Sequence, residues 1–396
     1  MSNFNRSIGL TPEVRVAVYY FFSAMSVGAV NGFAGIWFAS IGILPEQIGV
    51  ITAAPVVVVL LVGFTAGRLA DLSSDWRHTI VIGATLSGLA PIALFFIDGF
   101  WSVCLIWTLC VTAQMATLPI MDAAAIRMAR RRGTDFSVYY AWKTVGYLLM
   151  IFFSGLLITH FGVPFFLPLF VGLSILRGMA AFALPKFRET PIAPAVAKPK
   201  PSMGAVIKPW FILPLLGWSL VHCTHFVQNG FLGLLWSEQG LSASTIGLLI
   251  AASSIAETAM FLCFKRFSNR FRPEHLIFAS AIAGVARWGA LAYSPGIALL
   301  VPLQLLHAFT YAIGFLACTN LIADKTGEEI AAQAQSFFTV VQFGVAIPVL
   351  VGFGWLAGTF GATAFLASAG LAGIGATLLI ISLMLEKRPA AKTDQT

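Results

Sequence analysis

The 396-residue chain is 58% hydrophobic and 10% charged, with a mean hydropathy of +0.88. Ordinary soluble domains carry about 25% charged residues, so this composition cannot clothe a soluble surface. At about 30 residues per membrane span and its loop, the length holds roughly twelve or thirteen spans and leaves almost no chain for a soluble catalytic domain. The net charge of +8 follows from where the basic residues lie, so it does not point to nucleic acid.

Twelve apolar runs follow one another, near 14–39, 46–66, 78–97, 101–125, 136–159, 164–184, 208–236, 243–264, 274–293, 296–320, 332–358 and 361–385. The first is too long for a signal-peptide core and is expected to stay in the membrane. The five cysteines (Cys104, Cys110, Cys223, Cys263 and Cys318) fall inside apolar runs at no metal-binding spacing and read as small core residues. The stretch from Pro185 to Pro209 breaks the pattern with Pro191, Pro194, Pro199 and Pro201 among Lys186, Arg188, Lys198 and Lys200. It reads as a solvated linker dividing the spans six and six. The expected organisation is therefore an all-α membrane protein of twelve transmembrane helices. It comprises a six-helix bundle over 1–184, a linker over 185–207, and a second, pseudo-symmetric bundle over 208–396.

Charge sets the expected orientation. Of 24 Lys and Arg, three lie well inside apolar runs (Lys143, Arg177, Arg287), and the rest lie in the N-terminal segment, in the C-terminal tail, or in or bordering the loops after even-numbered runs. The positive-inside rule then puts both termini and the linker in the cytoplasm of a multi-pass inner-membrane protein.

The halves repeat. Gly42-Ile43-Leu44-Pro45-Glu46-Gln47-Ile48-Gly49 aligns with Gly240-Leu241-Ser242-Ala243-Ser244-Thr245-Ile246-Gly247, and Phe161-Gly162 with Phe360-Gly361. Two parallel six-helix repeats joined by a cytoplasmic linker resemble the layout of the major facilitator transporters. Gly67-Arg68-Leu69-Ala70-Asp71, with Arg77 beyond, resembles in part that superfamily's signature loop after the second helix, although Leu72, Ser74 and Asp75 depart from it. Gly67, Asp71 and Arg77 are the expected conformational loop. Asp71 would latch one conformation through basic groups or helix N-termini, or would simply be part of a solvated turn.

A charge in hydrocarbon costs about 2.5–3.5 kcal/mol even on insertion scales, so polar groups inside the runs are informative. Arg177 lies near the inner end of the sixth run and is expected to snorkel to water. Asp122 and Lys143, in the fourth and fifth runs, are expected to pair, either structurally or in gating or substrate binding. His225, Glu257, Arg287 and His307 occupy the seventh to tenth runs. A carboxylate that alternates between a neutral state and an ionised, paired state can couple a proton to an alternating cavity. His225 and Asn229, four residues apart, would share a helix face. Asn31, Gln114 and Gln304 are further cavity candidates, with helix–helix hydrogen bonding as the plainer alternative.

His225-Phe226-Val227-Gln228-Asn229-Gly230-Phe231, Ala256-Glu257, Arg287-Trp288, Gln304-Leu305-Leu306-His307 and Leu118-Pro119-Ile120-Met121-Asp122-Ala123 resemble the phenylpropionate permease-like branch of the major facilitators, over most of the chain. The resemblance implies that Glu257 and Arg287 line a central cavity and that His307 joins in proton or substrate handling. That branch usually has an arginine near Tyr140 and a glycine near Lys143, so the positive charge here stands one turn further along. The related lactose permease has a carboxylate where this chain has Thr310, which argues against a sugar. The expected function is proton-coupled symport of a small organic solute, such as an aromatic or other organic acid. The alternatives are an uncoupled or exporting facilitator and a non-transporting scaffold or sensor. The expected partners are the solute, protons and the lipid bilayer, with a monomeric chain. No Gly-x-x-x-x-Gly-Lys loop, metal cluster or nucleophile–base set occurs in the sequence, so neither a cofactor nor an enzymatic reaction is expected.

Overall fold

The computed structural model describes residues 10–187, 208–326 and 328–386, without the side chains of Phe64, Asp71, Phe267 and residues 328–333. The described regular structure is helical throughout. Its helices are α1 (Pro12–Val30), α2 (Ala34–Ser40), α3 (Pro45–Leu72), α4 (Trp76–Leu89), α5 (Phe100–Arg132), α6 (Phe136–Phe161), α7 (Phe166–Phe182), α8 (Pro209–Val227), α9 (Gly233–Glu238), α10 (Ala243–Ser268), α11 (Pro273–Leu291), α12 (Ile297–Leu305), α13 (Gly314–Lys325), α14 (Glu328–Phe360) and α15 (Phe365–Glu386). One expected span is a broken helix, α1 with α2, bent by 48°, and two others, α8 with α9 and α12 with α13, are continuous but interrupted by a π-helical stretch. Nine stretches pass a length-and-hydropathy test for crossing a membrane, or ten with the bent pair. One of these, Ala334–Leu385, holds both α14 and α15, and α11, with Glu274 and Arg287, is not among them. The described segments thus group into the twelve expected from the sequence.

Local chemistry explains the ends. Thr11 caps α1 by accepting from the Val14 N–H, with Pro12 at the first helical position. Asp75 and Asp135 cap α4 and α6 in the same way. α5 closes at Gly133 in the left-handed conformation, with Arg130, Arg131 and Arg132 against the negative end of the helix dipole. The repeat read from the sequence recurs in the backbone. Gly42 and Gly240, ahead of α3 and α10, have φ of +83° and +85°, and Gly162 and Gly361 are also positive. The breaks at 31–33 and 228–232 fall at the same place in each repeat, as an irregular turn in one and a π-helix, Gln228–Leu232, in the other.

By packing, the chain forms two compact units, residues 1–195 with 230–251 and residues 196–229 with 252–396. The first has a core of Val16, Tyr20, Trp76, Ile80, Met121, Met128 and Phe187. The second is built on Phe211, Leu215, Trp218, Ile277, Ala317, Leu321 and Phe338. Large apolar side chains such as Trp101 and Leu262 are exposed, as expected for surfaces facing lipid.

Residues 230–251 join the first unit through backbone contact. A Cβ at Gly233 would stand 1.7 Å from the Gly32 carbonyl oxygen, and one at Gly155 would stand 2.6 Å from that of Ala243. The Thr159 hydroxyl accepts from the Ser244 N–H at 2.9 Å. Only glycine allows backbones to approach this closely.

Candidate functional site

Sequence places Arg287 on α11 and His307 just beyond α12. The π-helix Ala308–Ile313 that follows brings Thr310 beside them. All lie within the second unit, together with His225, Gln228, Glu257 and Gln304. Arg287 is fully buried and has five N–H groups, each of which has an acceptor. Its Nε donates to the Leu303 carbonyl at 2.9 Å. Nη2 donates to Gln228 Oε1 at 2.8 Å and Gln304 Oε1 at 3.1 Å. Nη1 reaches His307 Nδ1 at 3.4 Å and Thr310 Oγ1 at 3.5 Å, and the guanidinium lies 4.6 Å from the Trp288 ring centre.

Donor and acceptor roles order the rest. A guanidinium cannot accept, so His307 Nδ1 is the acceptor and the proton of the neutral ring sits on Nε2. That nitrogen donates to Glu257 Oε2 at 3.1 Å. An ionised Glu257 is therefore joined to the Arg287 cation through one imidazole rather than by direct contact. On the other side, the Val221 carbonyl can only accept, so His225 Nδ1 donates to it at 3.1 Å. His225 Nε2 then accepts the Thr310 hydroxyl at 3.1 Å. The His307 ring stacks on Tyr311 with centres 5.6 Å apart. Glu257 is partly exposed, whereas Arg287 and His307 are buried. The carboxylate is the less buried end of the chain.

The structure thus joins Glu257, His307, Arg287, Gln304 and His225, all singled out from the sequence. It leaves out Asn229. The π-helix breaks the four-residue spacing expected for His225 and Asn229, so that Asn229 is exposed and the buried Gln228 holds Arg287 instead. Gln228 and Thr310 were missed because α-helical periodicity does not anticipate π turns. Gln304 Nε2 is a buried donor with no partner among the described residues.

The first unit differs from expectation in three ways. Arg177 does not snorkel. It is buried, with Nη1 donating to Ser26 Oγ at 2.9 Å and Nη2 to the Ser87 carbonyl at 2.7 Å. Gln114 reaches the same Ser26 hydroxyl at 3.5 Å. Asp122 and Lys143 form no direct pair: Asp122 Oδ1 accepts from the Tyr20 hydroxyl at 2.6 Å, and Lys143 Nζ donates to Tyr140 at 2.9 Å over its ring. Tyr20 and Tyr140, with ring centres 5.9 Å apart, stand between the two charges. Asn31 donates to the Tyr147 hydroxyl at 3.2 Å.

The third difference lies in the expected conformational loop. Gly67 and Asp71 belong to the last turns of α3 rather than to a loop, and the Asp71 side chain lies outside the described residues. Asp75, buried and read in the sequence only as a departure from the signature loop, is the acid that ties the corner together. Its carboxylate accepts from the Arg77 and Phe187 N–H groups. Arg77 Nη2 donates to the Phe182 carbonyl at 2.7 Å, Arg15 to those of Ala183 and Leu184, and Arg131 to that of Phe187. The end of α7 and the start of the linker are thus held by three arginines and one aspartate.

Residues 14–384 match the family model described as "MFS_1 like family". The chain belongs to that family, and it is a multi-pass transporter of the major facilitator type. It is 26% identical over 351 residues to the "Probable 3-phenylpropionic acid transporter" of Escherichia coli (strain K12), covering 85% of this chain and 89% of the relative. It is 23% identical over 342 residues to the nucleoside permease NupG of the same strain, covering 77% and 76%. A crystal structure of NupG, as the D323A mutant, superposes with a TM-score of 0.82 at 16% identity, over 94% of this chain and 100% of that one. The structural likeness shows the fold of this transporter.

Proposed function

We propose that this transporter carries a small organic solute, an aromatic or other organic acid, across the inner membrane by alternating access coupled to protons. Both termini would be cytoplasmic and the chain monomeric. The observation that carries the reading is the hydrogen-bonded chain from the partly exposed Glu257 through the buried His307 to the buried Arg287. Placing two opposite charges in a membrane protein is costly, and here they balance only while Glu257 is ionised. A proton on Glu257 removes the countercharge and weakens the acceptor that His307 faces. Arg287 is then free to exchange its partners, and an anionic solute can replace the lost charge. The organic-acid class is supported by the name of the phenylpropionic acid relative. It also fits a site whose fixed charge is a cation held by neutral amides. Gln304 Nε2, a buried donor without a partner among the described residues, would meet a solute oxygen.

The test is uptake of labelled 3-phenylpropionate into proteoliposomes under an imposed pH gradient, with counterflow measured separately. Glu257→Gln mimics the protonated state; it is expected to abolish gradient-driven accumulation and retain counterflow. Undiminished accumulation in that variant overturns the role of Glu257. Counterflow without accumulation in the unaltered protein would identify an uncoupled facilitator.

A further inference from the structure

The corner between α10 and α11 opens a cavity that shares no residue with the polar chain. Leu248, Ile255 and Leu262 lie seven residues apart on α10, and each is more than half exposed, which gives the helix a continuous apolar stripe on its outer face. Arg266 stands one turn beyond Leu262 on that stripe and is the last residue of the apolar span Ala243–Arg266. There a cavity of about 680 Å3 opens, lined by Cys263, Arg266, Asn269, Arg270 and Phe271. Among the described residues, no acidic side chain lines it. Among the described residues Arg266 and Arg270 make no hydrogen bond or ion pair, and both are exposed. The acid of this corner, Glu274, is already engaged by Arg272 at 3.2 Å. Phe271 leaves half of its surface open beside the arginines.

We propose that this cavity binds the phosphate group of an anionic phospholipid, with an acyl chain lying along the Leu248–Ile255–Leu262 stripe. Two unpaired guanidinium groups and one amide offer convergent donors to phosphate oxygens. They sit where the apolar span ends, which is the depth of lipid headgroups. A free phosphate ion would satisfy the arginines but would have no use for the stripe.

Native mass spectrometry of the purified full chain in detergent, titrated with phosphatidylglycerol, phosphatidylcholine or inorganic phosphate, tests this without reference to transport. Phosphatidylglycerol is expected to bind in preference to phosphatidylcholine. Arg266→Gln and Arg270→Gln should each weaken its binding about five-fold, the effect of removing one charge near an anionic headgroup. Lys265→Gln, a neighbouring residue that does not line the cavity, should change binding less than two-fold. Leu262→Asn should weaken the lipid and leave inorganic phosphate unaffected. Equal phosphatidylglycerol occupancy in the Arg266→Gln/Arg270→Gln variant and the unaltered protein overturns the proposal, as does lipid binding that Leu262→Asn leaves unchanged. If the double variant melts early without lipid, Arg270→Gln alone, in the exposed turn, gives the same readout.

Discussion

Arg287 uses all five of its N–H groups on neutral acceptors, and this determines what its neighbours can do. The Thr310 hydroxyl bridges Arg287 and His225. Thr310→Val keeps the shape and removes the bridge, leaving one guanidinium N–H unsatisfied. It is expected to cost about 1–3 kcal/mol of stability, read as an earlier thermal melt in detergent, and to lower transport. Asp122 gives a second case. Because the Tyr20 hydroxyl is its hydrogen-bond partner, Tyr20→Phe should destabilise by about 1.5–3 kcal/mol, more than Asp122→Asn, which keeps an acceptor. A double-mutant cycle of Asp122→Asn with Lys143→Met is expected to show a coupling below about 0.5 kcal/mol. A larger coupling would mean that the two charges meet directly in another state of the cycle.

Among the helices, irregular turns do the positioning. The breaks at 31–33 and 228–232 and the π-helix at Ala308–Ile313 place Asn31, Gln228 and Thr310 where an unbroken α-helix would not. They also present the Gly32 carbonyl oxygen to Gly233. Gly233→Ala puts a methyl group into that contact, so the backbones must separate. Cysteines at Thr159 and Ser244, adjacent in the structure, should cross-link readily in the unaltered background and at least several-fold less in Gly233→Ala. Equal yields in the two backgrounds would show that the seam yields elsewhere.

For the whole molecule, orientation follows from charge. Within the first unit, basic residues gather at the end of α5 and around the start of the linker, where Arg15, Arg77 and Arg131 hold backbone carbonyls. Translocating such clusters is costly, so this end should face the cytoplasm. A cysteine at the exposed Lys186 is therefore expected to resist a membrane-impermeant thiol reagent in intact cells and to react once the cells are opened. Labelling in intact cells would reverse the assigned topology.

Composition and loop charge determined much of this protein without a structure. Apolar runs of about 20 residues in a chain with few charges can be satisfied only as membrane helices, and the repeated Gly42 and Gly240 loops announced two related halves. The positions of Glu257, Arg287 and His307 were legible too, because an ionisable group in an apolar run stands out against its cost. What joins them was not legible. Whether Asp122 meets Lys143 or Tyr20, whether Arg177 reaches water or Ser26, and whether Gln228 or Asn229 turns inward depend on local helix winding and on side chains distant in sequence. An α-helical period carries no record of a π turn, and a charge pattern carries none of the tyrosine that comes between. Those choices were decided by tertiary packing, which gives most buried donors and acceptors a partner in three dimensions.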